Sequence, residues 1–178
     1  MEKQEKQKRV NSKGKGNGFE GQIAKKLSKA LAPLTFMRSP GSGARLGGKN
    51  FAAFSHMFGE DATKLFVGDV VPTNEKDCGL QFKFSVECKS YKTPDNFPGL
   101  VSGNANFFKW FEESVVDAEK IAKLPMLIFK WNHTASFIGV LHDPNSSVKP
   151  QFTITRNERS IDVFELESLL EVPTFWYK

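Results

Sequence analysis

The chain is expected to fold as an α/β protein, and three observations carry that expectation. Residues 17–32 and 106–123 repeat apolar side chains every three or four positions, the period of an amphipathic helix. Gln81 to Lys89 alternates polar and apolar residues with a period of two, the mark of a strand with one face on a core. Short apolar runs at Leu34–Arg38, Leu65–Pro72, Met126–Trp131 and Ser136–Leu141 are punctuated by Gly, Pro and Asn turns. The resulting order is α-β-β-β-α-β-β followed by a tail.

The totals set the limits. The 178 residues, 39% apolar with 17 phenylalanines, suffice for one domain with a substantial core and no disulfide or structural metal. Cys78 and Cys88 are the only cysteines, without a C-x-x-C or a nearby histidine, which argues against zinc and for a reducing, cytoplasmic compartment. No apolar run reaches the roughly 18 residues needed to cross a membrane, and no secretory h-region opens the chain. Lys3, Lys6, Lys8, Arg9, Lys13 and Lys15 stand against Glu2 and Glu5, so four of the five net positive charges lie within residues 1–16. That segment lacks large apolar groups and is expected to be a disordered basic arm, either contacting nucleic-acid phosphates or acting as a solubilising tail.

Each element has a local reason. Asn17-Gly18-Phe19-Glu20 reads as a capping box opening a helix that Pro33 closes, with Ile23, Ala24, Leu27, Ala30 and Leu31 inward. Glu20 either caps that helix or faces the body of the protein, where it needs a partner. Leu34 to Arg38 is a short strand running into Arg38-Ser39-Pro40-Gly41-Ser42-Gly43-Ala44-Arg45. In that loop glycines permit close approach, while hydroxyls, amides and arginines can meet phosphate oxygens. Phe51, Phe54 and Phe58 suggest a short helix. Leu65 to Pro72 reads as an apolar strand with one charge, Asp69, and pairs with the Gln81–Lys89 strand as an antiparallel hairpin. A polar connection, a helix from Asn106 to Lys123 and strands at Met126–Trp131 and Ser136–Leu141 follow. The tail holds strands near Gln151–Thr155 and Ile161–Phe164 and a helix over Glu165–Glu171.

The chemistry gathers on a few residues. On the 81–89 strand Phe82, Phe84, Val86 and Cys88 face the core, and Glu87 and Lys89 share the other, wet face. Two positions along a strand span about 6.5 Å, so both can reach one phosphodiester with a metal ion between them. The hairpin brings Asp69 toward Glu87. His56, His133 and His142 lack a second ligand, and neither a Walker loop nor a D-x-D-x-D-G calcium loop is present.

In this order, Glu20, Arg38-Ser39-Pro40-Gly41-Ser42-Gly43, Gly68-Asp69 and Glu87-Cys88-Lys89 resemble the PD-(D/E)XK nuclease superfamily, and within it the archaeal and bacteriophage Holliday junction resolvases. The resemblance spans roughly Asn17 to Leu141. It implies a restriction-endonuclease-like α-β-β-β-α-β core, a central mixed sheet flanked by helices, within a single nuclease domain over 17–178, leaving 142–178 as a C-terminal extension. It implies a phage or prokaryotic, Mg²⁺-dependent enzyme, with Mn²⁺ able to substitute, that nicks four-way DNA junctions as a homodimer. Asp69, Glu87, the backbone carbonyl of Cys88 and Glu20 would hold the metal. Glu20, Asp69, Glu87, Lys89 and Ser42 would be catalytic, and Arg38, Ser39, Ser42, Arg45 and Lys92 would contact DNA. Gly68 in place of the family proline, about twenty residues inserted before Asp69, the basic arm and the tail depart from that pattern. Another nuclease on the same fold, or a non-catalytic DNA-binding module, are the alternatives.

Overall fold

The computed structural model describes residues 12–40, 56, 65–103 and 105–178. Seven strands form one sheet in the order β1-β2-β3-β4-β5-β7-β6. They are β1 (Phe36–Arg38), β2 (Val70–Pro72), β3 (Phe84–Tyr91), β4 (Leu124–Trp131), β5 (Phe137–Leu141), β6 (Phe152–Arg156) and β7 (Arg159–Glu165). Only β3 and β4 run parallel; every other neighbouring pair is antiparallel. A parallel pair needs a crossover, and helices α3 (Phe97–Ser102) and α4 (Asn106–Lys120) supply it. The sheet is therefore mixed, and the expected α-β-β-β-α-β core is present.

Two apolar layers sandwich the sheet. Beneath α1 (Ser12–Ala30), Phe19, Ile23, Ala24 and Leu27 pack on Phe84, Val86, Cys88, Met126 and Ile128. Beneath α4, Phe107, Phe108, Phe111 and Val115 pack on Leu127, Phe129, Ile161 and Val163. The strict alternation of β4 between the two layers, Met126 and Ile128 against Leu127 and Phe129, is what a central strand requires.

Several expectations change in detail. Helix α1 begins at Ser12, so Asn17 is not its N-cap; Asn17 Oδ1 instead accepts from Arg38 Nη2 at 2.8 Å. A tertiary cation has taken the side chain that local capping would have used. The 65–72 run is not one strand, because Gly68 adopts φ +94° and turns the chain before β2. Two short helices break segments expected to be loop: α2 (Glu75–Cys78), and α3, whose N-cap Asn96 accepts from Gly99 N–H. The helix expected over 106–123 stops at Lys120, and Leu124-Pro125 opens β4. The second face of β3 is not wet: α4 covers it, Ser85 is buried, and Glu87 and Lys89 are mostly buried. Residues 12–16, expected to belong to the disordered arm, are instead the start of α1; residues 1–11 and the Phe51, Phe54 and Phe58 segment lie outside the described residues. No described helix is long and apolar enough to cross a membrane.

The tail is built into the fold. β7 pairs with β5 and β6 with β7, and α5 (Leu166–Leu170) and a 3-10 turn (Pro173–Phe175) return the chain under β3. Trp176 is fully buried, stacks on Phe82 with centroids 6.1 Å apart, and donates its indole N–H to Leu169 O at 2.9 Å. In the same segment Asp162, 2% exposed, accepts from Thr153 Oγ1 at 2.6 Å and lies 2.9 Å from His142 Nδ1, which ties β5, β6 and β7 together. Trp176→Ala should lower unfolding free energy by about 3–5 kcal/mol, as for other large core truncations. Urea denaturation measures this, and a loss below about 1 kcal/mol would show that the tail does not complete the core.

Candidate active site

Three elements converge beside the middle of β3. Gly68 lies against it: a Cβ there would sit 2.9 Å from Val86 O and 3.3 Å from Ser85 Oγ, and the positive φ disfavours any L side chain. The next residue is stitched in three directions. Asp69 N–H donates to Val86 O at 2.7 Å, Asp69 O accepts from Ser39 N–H at 2.8 Å, and Asp69 Oδ2 accepts from Cys88 N–H at 2.8 Å. Asp69 is 4% exposed. Burial pushes its pKa well up, the Glu87 and Glu20 charges push it further, and the Cys88 N–H opposes them.

Glu87 and Lys89 project from the opposite face of β3, toward α4. Lys89 Nζ lies 2.7 Å from Glu87 Oε1 and 3.0 Å from Glu113 Oε2. Burial raises the Glu87 pKa, Lys89 opposes that, and Asp117 and Glu113 add to it. Burial alone would lower the Lys89 pKa, but Glu87 and Glu113 outweigh it and hold the ammonium above its ordinary value. Lys89 is therefore a firmly protonated cation at neutral pH. Between the two acids Cys88 sends its thiol into the core, where burial and the surrounding carboxylates keep it protonated and unreactive.

Glu20 reaches this group from α1. It is buried, and its Oε2 accepts from Arg38 Nε at 2.6 Å, so Arg38 grips both Glu20 and Asn17. Ser39 is corrected from its expected place on the DNA surface. It is 0% exposed and its hydroxyl donates to Phe66 O at 2.8 Å, so it ties the loop to the chain before Gly68 and cannot reach a phosphate. Lys92 is exposed just beyond β3. Ser42 and Arg45 lie outside the described residues. Two residues that sequence reasoning missed, Glu113 and Asp117, stand one helical turn apart on α4 beside Glu87 and Lys89. Their signal is visible as acids four apart on the helix expected to cross β3, but nothing local says which way they face.

The donor chemistry suits a hard divalent cation: a deeply buried carboxylate that repels a second one is held at an electrostatic cost that such an ion removes. Among the described residues no three His, Cys, Asp or Glu side chains are grouped as a ready-made metal cage. Mg²⁺ does not need one, since it binds through one or two carboxylates completed by substrate phosphate and water. Asp69 and Glu87 fit that requirement.

Comparison with known families decides the assignment. The model of the family described as "Phage putative PDDEXK endonuclease" matches residues 11–171. The chain belongs to this family. It is a PD-(D/E)XK nuclease. Among solved structures, the Holliday junction resolvase Hjc of the archaeal hyperthermophile Archaeoglobus fulgidus is similar at 15% identity and a TM-score of 0.41, over 88% of this chain and 95% of that one. No curated protein sequence matches. Proline is excluded from position 68 for a physical reason: proline holds φ near −65°, and the turn there requires +94°.

Two predictions concern this site. Gly68→Ala should cost about 1–3 kcal/mol from its φ alone, with a further loss from the clash with Val86 O, read by chemical denaturation. The second follows from the raised Asp69 pKa: the folded chain binds that proton more tightly than the unfolded chain. The Asp69 contribution to stability without cation should therefore be fully present in acid and be lost as pH rises from the ordinary carboxylate range through the folded value. Asp69→Asn keeps an oxygen for the Cys88 N–H but cannot ionise. Its thermal midpoint without cation should exceed wild type at neutral pH and approach it in acid; a lower midpoint at neutral pH would refute the electrostatic account.

Proposed function

We propose that the protein is a metal-dependent, structure-specific DNA endonuclease that resolves four-way junctions by paired nicks. The observation that carries this reading is the convergence of Asp69, just before β2, and of Glu87 and Lys89 on β3 with the Glu20–Arg38 pair from α1 and β1. That set, in that order along the chain, is the one by which the sequence resembles Holliday junction resolvases. The domain would run from α1, which starts at Ser12, to residue 178, with the remainder of the basic arm in front. It would work as a homodimer, since two sites about a two-fold axis suit a junction of roughly two-fold symmetry. Its setting would be DNA recombination in the cytoplasm of a prokaryotic cell or phage-infected host.

Asp69 and Glu87, with the Cys88 carbonyl and with Glu20 directly or through water, would hold Mg²⁺ or Mn²⁺. The bound cation would supply charge neutralisation at the scissile phosphate and help for the departing 3′ oxygen. Asp69 enters with its orientation fixed by the Cys88 N–H, so no rotamer has to be selected at the moment of reaction. Lys89, held protonated, acts as a donor to the attacking water or to a non-bridging phosphate oxygen and stabilises charge there; it does not abstract the proton. Glu113 retains the Lys89 ammonium when Glu87 turns to its other task. Arg38 holds Glu20 against the site, and Arg38, Ser42, Arg45 and Lys92 would contact the phosphate backbone.

The test is cleavage of a four-way junction and a matched linear duplex with Mg²⁺, with Mn²⁺ and with chelator. Paired symmetric nicks in the junction alone, dependent on the ion, are expected. Equal cutting of the linear duplex would indicate a restriction-like or end-processing nuclease instead. Glu87→Ala should abolish cutting with DNA binding retained, and Lys89→Ala should slow it about 10²- to 10³-fold, the usual scale for losing one charge-stabilising donor.

A further inference from the structure

The β6–β7 hairpin stands at the sheet edge farthest from β1, yet it meets the same helix that bears Glu113. A cleft of about 360 Å³ opens between them, lined by Phe108, Lys109 and Glu112 of α4 and by Arg156 and Arg159 of the hairpin. Its charge is lopsided, with three cations against one carboxylate. Arg156 is pre-organised: its guanidinium lies 4.8 Å from the Phe108 ring centroid and donates to Gly103 O. Gly103, at φ +76°, has no side chain where that guanidinium passes, and a methyl group there would collide with it. Arg159 Nη1 donates to both carboxylate oxygens of Glu112, at 2.6 and 2.7 Å, an exposed pair of the kind that holds weakly in water and is readily exchanged for a stronger anion. Lys109 makes no ion pair among the described residues.

Of these cations Lys109 and Arg159 hold their charge at the surface. Its position relative to the active site is informative: Lys109 and Glu113 lie four residues apart on one stripe of α4, about 6 Å along the helix, and Glu113 touches Lys89. We propose that this cleft is a second site for nucleic-acid backbone phosphate, contacted by Lys109, Arg156 and Arg159, on the strand whose scissile bond lies at Lys89. It rests on the reading that the chain acts on DNA, and it assigns the C-terminal extension the task of orienting that DNA. Glu112 would keep Arg159 extended until a phosphate replaces it.

The test is binding of a labelled four-way junction and of a linear duplex by full-length protein carrying Glu87→Gln, in chelator, across a range of salt concentrations. Adding Lys109→Glu or Arg159→Ala should weaken binding about tenfold and flatten the log–log salt slope by about 0.9 for each phosphate no longer neutralised. Glu112→Gln, which removes the competing carboxylate, should tighten binding. All three side chains are on the surface, so thermal midpoints near the parent's show that folding is intact; should Arg156→Ala fail to fold, these variants still decide the matter. Unchanged affinity and slope in both Lys109→Glu and Arg159→Ala would overturn the proposal, as would displacement by millimolar inorganic phosphate at constant ionic strength without any effect of the substitutions on DNA. If wild type proves inactive on every DNA while the cleft variants still lose affinity, the junction-cleaving reading fails and the cleft stands; the reverse pattern sinks the cleft alone.

Discussion

The attachment of Asp69 to β3 is the constraint on which the rest of the structure depends. Its amide, its carbonyl and its carboxylate are bonded to Val86, Ser39 and Cys88 in turn. These bonds need the chain before it to lie almost in contact with β3, which only a glycine at 68 permits. Short strands β1 and β2 have few ladder bonds of their own, so the stitching at Asp69 and Ser39 aligns them with the sheet. The same bonds fix the direction of the carboxylate. The direction of the Asp69 carboxylate and the sheet geometry are thus set by one group of atoms, and a change that loosens one loosens the other.

Placing acids in that position has an electrostatic consequence that the surroundings answer unevenly. Glu20 is answered by Arg38 and Glu87 by Lys89, with Glu113 sharing the ammonium. Asp69 receives a neutral N–H and stays under pressure from burial and from its neighbours. A carboxylate left in this condition is unfavourable to its own fold, and a nearby cation would relieve it. The residues that stabilise the fold lie elsewhere, in the paired apolar layers and above all in the Trp176 closure under β3.

The extension after β5 illustrates how position in a chain and position in a fold part company. The resemblance to resolvases leaves it as a tail, but the family model, matching residues 11–171, takes in nearly all of it. In space it adds two strands to the sheet, covers Phe82 and Phe84 with Phe175 and Trp176, and presents arginines beside α4. A minimal nuclease core would expose that aromatic surface, so here the extension is part of what makes the core dry.

Much of this is readable from residues in order. The period-two run at 81–89, the stripes of α1 and α4, and the strands of the tail are local signals, because side-chain spacing along a helix or strand is set by backbone geometry alone. The identities of Asp69, Glu87 and Lys89, and the inward thiol of Cys88, come from the same source. What only tertiary structure decided is where each face goes. The Glu87–Lys89 face looks wet until α4 covers it, Asn17 looks like a cap until Arg38 claims it, and Ser39 looks exposed until its hydroxyl turns to Phe66. Each of these depends on a partner more than fifteen residues away, and no pattern within one element encodes which distant surface will arrive to cover it.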